Sequence, residues 1–427
     1  MLETLLALFI FLLPFQFALQ PAEGVDLAIA RVLAVGIFLL WGMRSLAEKR
    51  LVLPRPLPLF FFTAFLLWTS ASFLWADSSP WALRKSVFLL SFLPLFLVFS
   101  GLFRESRVRE KVFRAFVAGA ALVATIAIVE FCLQFVFGVE KMFALWTGTV
   151  LPFFLGPAFG ESVASHPSLL ANIAGTTVLR ASGFFPDPHM AAFFFGMSLP
   201  IAIVFVLGDG NQIRKRWIAC AGAILIADLL TFSRGGYIGL IFGLGAFIFL
   251  FLSWTAAWKK RALQISVGSL IIAIMVVASP VGTRLLSSFS QTDTSNIERL
   301  RLWQEATELI LDRPITGVGL GNYPLAVKPS AEYREPIYAH NLYLDIALEI
   351  GITGLLFFIL FLCYGLLCAW RRWRGEHSVF HLAIFSSLII FSVHAFFETP
   401  LFSVHVLPAL VLLLAGSMAP SHTGQRG

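Results

Sequence analysis

The chain has 427 residues, 58% of them hydrophobic and only 13% charged, with a formal net charge of +7 and a mean hydropathy of +0.86. A soluble domain of this length needs far more charge to cover its surface, so the composition excludes one and marks a polytopic membrane protein. The apolar runs are continuous rather than alternating, which specifies helices and excludes a membrane β-barrel.

Twelve candidate spans are expected near 2–19, 26–43, 57–75, 82–102, 113–137, 189–207, 217–232, 236–254, 262–280, 341–369, 379–397 and 400–417. The first run has no basic leader and no small-residue cleavage site, so it is expected to be a retained helix. Basic residues collect in alternate loops: Arg44, Lys49, Arg50 and Arg55; Arg104, Arg107, Arg109, Lys111 and Arg114; Arg214, Lys215 and Arg216; Lys259, Lys260 and Arg261; Arg371, Arg372 and Arg374. The positive-inside rule makes these loops cytoplasmic, with both termini on the same side. The positive charge is then a topology signal with some attraction to anionic lipid headgroups, and calls for no nucleic-acid partner.

Two long loops lie on the opposite side, at 138–188 and 281–340, and long connectors tend to carry function. The second contains "NIERLRLWQEATELILDRP", in which Leu300, Trp303, Thr307, Ile310 and Leu311 recur at helical spacing. This predicts an amphipathic helix outside the membrane, ended by Pro314. The expected architecture is an all-α membrane domain over 1–420, with a disordered tail at 421–427. Cys132, Cys220, Cys363 and Cys368 all fall in apolar runs without a Cys-x-x-Cys pair, as expected of small apolar helix residues.

Charged groups at the edges of apolar runs are the candidates for chemistry. In "YAHNLYLDIALEIGITG", His340 and Asn341 mark a helix start, where free N–H groups favour anions. His340 could act as a base towards a hydroxyl or simply cap its helix. Asp345 and Glu349 are four apart and share a helix face, to orient an arginine or to form a structural ion pair. In "TFSRGGYIG", Arg234 occupies a very short outer turn against the charge bias, and its rigid fork suits a phosphate. Arg180, Arg299, Arg301 and Arg313 extend a cationic rim on this side, with Asp187 and His189 before the sixth span. "GVGLGNYP" has neither the Lys-Ser/Thr nor the preceding strand of a nucleotide loop and is read as a flexible turn. No HExxH or Asp-x-Asp pair occurs, so metal-assisted transfer from a nucleotide sugar is not indicated. A transporter would need polar groups along a path through the bilayer. Only Glu130, Gln134 and Asp228 offer one, and packing or hydrogen bonding is the simpler account of them.

Taken together, "RLRLWQEATELILDRPITGVGLGNYP", "AHNLYLDIALEIGITG" and "SRGGYIG" resemble the O-antigen ligase/polymerase family of bacterial membrane glycosyltransferases. The resembling residues are Arg234, Arg299, Trp303, Asp312, Pro314, Gly317, Gly319, Gly321, His340, Asn341, Glu349, Gly351 and Gly354, within roughly 228–356. The resemblance implies a glycan carried on undecaprenyl diphosphate and transferred to a hydroxyl on the periplasmic face of the inner membrane, without metal, nucleotide or other cofactor. A ligase gives it to lipid A core, a polymerase to another lipid-linked repeat, and related enzymes to protein side chains. It also implies His340 and Arg234 as catalytic residues, with Arg180, Arg299 and Arg301 helping Arg234 hold the diphosphate. Asn341, Asp345, Glu349 and His189 would support them.

Overall fold

The computed structural model describes residues 1–22, 25–164, 167–173, 175–208, 211–254, 282, 294–333, 335 and 337–420. The span expected at 262–280, the basic group Lys259, Lys260 and Arg261, the loop segment 283–293 and the tail 421–427 lie outside these residues. Helices dominate: α1 (Leu2–Leu12), α2 (Ile29–Ala47), α3 (Pro56–Ala71), α4 (Ser79–Phe92), α5 (Leu95–Leu102), α6 (Ser106–Phe137), α7 (Pro188–Gly208), α8 (Asn211–Leu230), α9 (Arg234–Trp254), α10 (Thr294–Asp312), α11 (Leu342–Glu376), α12 (Val379–His394) and α13 (Val406–Met418). Seven described helical stretches, with α4 and α5 taken as one, are long and apolar enough to cross a membrane. The first run and helices α12 and α13 are shorter apolar helices. This is a helical membrane protein.

Helix α7 lies in the core of the bundle. Phe193, Phe194, Phe195 and Met197 are fully buried along it, and Phe194 meets Phe116 of α6 edge-on at 5.2 Å. Helices α9 and α12 pack backbone to backbone because α9 presents a glycine every fourth residue. A Cβ on Gly239 would stand 2.9 Å from the Ile390 carbonyl oxygen, and one on Gly243 would stand 2.2 Å from Ile390 Cγ1.

The all-α expectation is amended by two short antiparallel hairpins. Strands β1 (Ala18–Ala22) and β2 (Val25–Ala28) pair with Ala18 opposite Ala28. Strands β3 (Leu170–Ile173) and β4 (Thr176–Leu179) pair with Leu170 opposite Leu179. The second hairpin turns at Gly175, whose φ of 87° suits glycine and whose N–H donates to Asn172 Oδ1 at 2.9 Å. Two polar residues of α6 anchor β4 and the loop beyond it. Gln134 exchanges both hydrogen bonds with the Leu179 main chain, and Glu130 accepts from the Ser182 and Gly183 amides and the Ser182 hydroxyl. They are hydrogen-bonding groups that fasten a loop. Asp228 is fully buried, and its carboxyl oxygens have no hydrogen-bond partner among the described residues.

Helix α10 is the expected amphipathic helix, and it ends just before Pro314. Its buried stripe differs from the expected one. Ala306 and Ile310 face inward beside Trp303, while Leu300 and Leu311 are exposed. Small Ala306 lets the helix settle on Ala347 and Leu348 of α11.

Helix α11 is broken at Ile350 and Gly351, where the backbone leaves helical geometry. The glycine-rich segment fills the break. Val318 N–H donates to the Leu348 carbonyl, Gly319 N–H to that of Glu349, and Ile352 N–H to that of Pro314. Trp68 Nε1 donates to the Ile350 carbonyl. These bonds satisfy three carbonyls and one amide that a kink within an apolar helix would otherwise strand. Gly317, Gly319 and Gly321 all have positive φ, and a Cβ on Gly317 would meet the Leu348 carbonyl oxygen at 2.4 Å. "GVGLGNYP" is therefore a docked structural plug. The flexible turn expected there is incorrect, because its glycines are needed for close backbone approach.

Candidate active site

Four helix ends bring polar side chains together: the N-termini of α7, α9 and α11, and the turn that follows α12. Each N-terminus is capped from within its own sequence. Asp187 Oδ1 accepts from the His189 and Met190 amides, Ser233 Oγ from the Gly236 amide, and Asn341 Oδ1 from the Tyr343 and Leu344 amides. Asn341, and not His340, is thus the cap of α11, which leaves the imidazole free for another task. His340 itself has a φ of 50°, in the left-handed region that few residues other than glycine adopt.

That imidazole meets Glu398, which the sequence reading did not single out. His340 Nδ1 donates to Glu398 Oε2 at 2.9 Å. Arg299 Nη2 donates to Oε1 at 3.0 Å, and His189 Nε2 lies 3.6 Å from the same oxygen. The carboxylate is largely buried, whereas the His340 side chain is 40% exposed. Burial works against the Glu398 charge, but His189, His340 and Arg299 outweigh it and hold the carboxyl well below its ordinary range. In return the Glu398 charge raises the His340 pKa, against some desolvation. Asp187 is pushed up to about 6 by burial, with Glu398 adding to the effect.

A relay continues behind His189. Its Nδ1 lies 2.9 Å from Ser233 Oγ, which lies 3.3 Å from His394 Nε2, and the His394 ring stacks on Phe193 at 3.6 Å. Gly235 leaves room for this assembly, since a Cβ there would stand 2.8 Å from both His394 and Phe397.

The His340 backbone is held on both sides. Asp345 Oδ1 accepts from the Ala339 amide at 2.9 Å, and Trp303 Nε1 donates to the Ala339 carbonyl at 2.9 Å. The Leu342 amide donates to the Ala395 carbonyl at 2.9 Å. The second Asp345 oxygen accepts from the Thr399 hydroxyl. One buried carboxylate on α11 therefore fixes the segment before His340 and the residue after Glu398. Glu349, one turn further along, pairs with Lys85 of α4 at 3.0 Å, so the two acidic residues of this face have separate partners.

Arg234 opens α9 and is buried, as is Arg180. Arg180 Nε donates to the Thr231 carbonyl at 2.6 Å and its Nη1 to that of Ser168 at 2.8 Å, so it braces the turn that presents Ser233 and Arg234. Arg301 does not join the cluster. Its guanidinium is exposed and pairs with Glu298 at 2.7 Å, because position 301 falls on the solvent side of α10. Among the described residues no group of three or more His, Cys, Asp or Glu side chains is arranged to hold a metal ion.

Glu398, Ser233, His394 and Lys85 escaped the sequence reading. Glu398 had a signal, as a lone carboxylate in the two residues left between the last two expected spans. Lys85 was a charge inside an apolar run. Ser233 and His394 carried none, since hydroxyls and single histidines are common in such helices.

Residues 218–359 match a family model described as O-antigen ligase. A protein of Rickettsia conorii named "Putative polysaccharide ligase" is 30% identical over 175 residues, which cover 38% of this chain and 40% of that protein. Its counterpart in Rickettsia felis is 28% identical over 232 residues, 48% of this chain and 55% of the relative. Another in Rickettsia prowazekii is 29% identical over 177 residues, covering 38% and 41%. The alignments thus span about half the length of these relatives. Arg234, Arg299, the glycine plug and His340 lie inside the matched stretch, while Arg180, His189 and Glu398 lie outside it. Residues 218–359 of this chain are therefore similar to the O-antigen ligase family.

Proposed function

We propose that the protein is an O-antigen ligase-like glycosyltransferase of the bacterial inner membrane. It moves a glycan from undecaprenyl diphosphate to a hydroxyl of lipid A core at the periplasmic face. The observation that carries this reading is the His340–Glu398 pair at 2.9 Å, set among basic residues at converging helix ends. In this orientation Nδ1 is bound to the carboxylate and Nε2 is left to act on the acceptor.

The acceptor oxygen attacks the anomeric carbon while the bond from that carbon to the diphosphate oxygen breaks. The leaving diphosphate keeps the electron pair. His340 Nε2 takes the hydroxyl proton, and Glu398 stabilises the imidazolium that forms. Diphosphate is already a good leaving group, so it needs charge neutralisation more than protonation. Arg234 supplies it at the start of α9, where the helix dipole also favours an anion, and Arg180 braces the turn from behind. Arg299 tunes Glu398 and so acts on the base rather than on the diphosphate. The reaction requires neither nucleotide nor metal.

The test is transfer in detergent, with purified protein, an undecaprenyl-diphosphate glycan and lipid A core, in EDTA and without nucleotide. A gel shift of the core lipid is expected, lost in His340→Ala and in Arg234→Ala variants that stay folded. A ladder of longer lipid-linked glycans without shifted core would make the protein a polymerase. Neither product, across several donors and acceptors, would overturn the transferase reading.

A further inference from the structure

A cavity of about 510 Å³ is lined in part by Tyr338. Its walls come from the β1–β2 hairpin and α2, from α4, from the strap that ends at Tyr338, and from the turn between Phe402 and His405. Tyr338 precedes His340 by two residues, so cavity and cluster share one segment of chain.

Two features of the lining call for a polar ligand. His405 is fully buried, yet neither ring nitrogen has a hydrogen-bond partner among the described residues. A neutral imidazole in this position has one donor and one acceptor to offer. Gln16 is 5% exposed, and its Oε1 likewise has no partner, although its amide nitrogen donates to the Phe154 carbonyl at 3.3 Å. Buried groups left in this state are rare in folded proteins, and an apolar guest such as a lipid chain would leave them unsatisfied.

The charged lining is mainly cationic. Arg31, Arg84 and Lys85 outnumber Asp26 in the lining, while Glu349 pairs with Lys85 from outside it. Asp26 accepts from the Phe159 amide. The Arg84 guanidinium lies 4.2 Å from the Tyr333 ring centre and Lys85 lies 4.3 Å from that of Phe402, so the cations are held on aromatic platforms. Cations, aromatic faces and paired donor and acceptor groups in a cavity of this size suit a short sugar that bears a negative charge.

We propose that this cavity binds an anionic sugar, phosphorylated or carboxylated, of the acceptor glycan. The proposal rests on the transfer reading above. Ser233 joins the cluster through His189, whereas the cavity shares with it the segment that runs from Tyr338 to His340. An acceptor sugar held in the cavity thus lies against the same chain segment that carries the base His340.

The test is calorimetric titration of the full chain in detergent with core oligosaccharide released from rough lipopolysaccharide by mild acid. Arg84→Gln and Gln16→Leu are each expected to weaken binding tenfold or more, as is removal of the phosphates from the probe. His340→Gln and Arg234→Ala are expected to bind it as the wild type does. No binding by the wild type, or equal binding by both cavity variants, overturns the proposal. So does loss of binding in Arg234→Ala with the cavity variants unaffected. The gel assay on the same preparations keeps the two readings apart. Transfer that depends on His340 but has an unaltered acceptor KM in both cavity variants overturns the cavity alone. A wild type that binds the probe through the cavity yet transfers nothing overturns the reaction and retains the saccharide site.

Discussion

Glu398 is the residue on which the cluster turns. It gathers His340, His189 and Arg299, and its charge raises the pKa of His340. A base must lose its proton before it can act, so the transfer rate should fall as pH drops through that raised value. Glu398→Gln should lower kcat on the order of 100-fold and move this acid limb to lower pH. A pH–rate profile that keeps the wild-type limb would exclude Glu398 as the partner of the base. The same pair affects stability. Glu398, with its depressed pKa, stabilises above the ordinary carboxylate range and loses that contribution as pH falls through its folded value. His340, with its raised pKa, contributes fully below the ordinary imidazole value and loses its contribution as pH rises through the folded one. The gap in Tm between wild type and Glu398→Gln should therefore be widest at mildly acidic pH and shrink as the solution becomes alkaline.

At the scale of elements, the break in α11 sets where the site lies. Gly351 has a φ of 74°, and a Cβ there would stand 2.0 Å from the Ile315 carbonyl oxygen. Gly351→Ala must strain its own backbone and lift the glycine plug. A loss of at least about 1–3 kcal/mol is expected, read as a lowered Tm in detergent. Asp345 acts across elements, because it ties the segment before His340 to Thr399. Asp345→Ala should lower kcat about tenfold or more with little change in donor KM, since it misplaces the base without touching the diphosphate side. An equal fall in both kinetic terms would assign it to substrate binding instead. The plug motif was visible in the sequence as a glycine run. Its purpose was not, because the carbonyls it satisfies belong to a helix that the hydropathy pattern draws as unbroken.

For the whole molecule, alternation of basic loops sets the expected orientation. Single cysteines test it in a background where the four native cysteines are replaced. Asn172→Cys, in the β3–β4 hairpin, should react with a membrane-impermeant maleimide in spheroplasts. Arg107→Cys, at the start of α6, should react only after the membrane is opened. The reverse pattern would put the His340 cluster on the cytoplasmic side and rule out a periplasmic reaction.

Hydropathy and charge were enough to establish a helical membrane protein and the amphipathic helix before Pro314. They also singled out His340 and Arg234, because each is a charged or titratable group at the edge of an apolar run, where its cost demands a reason. Local pattern could not identify the partners. Glu398 lies 58 residues from His340, and His189 lies 44 residues from Ser233. Such pairs exist only once α7, α9, α11 and α12 pack, and the packing depends on glycines and small side chains that carry no chemical signal of their own. The fate of the arginines was decided in the same way. Arg299 and Arg301 are two residues apart on one amphipathic helix, and the docking of α10 alone turns the first towards Glu398 and the second towards solvent.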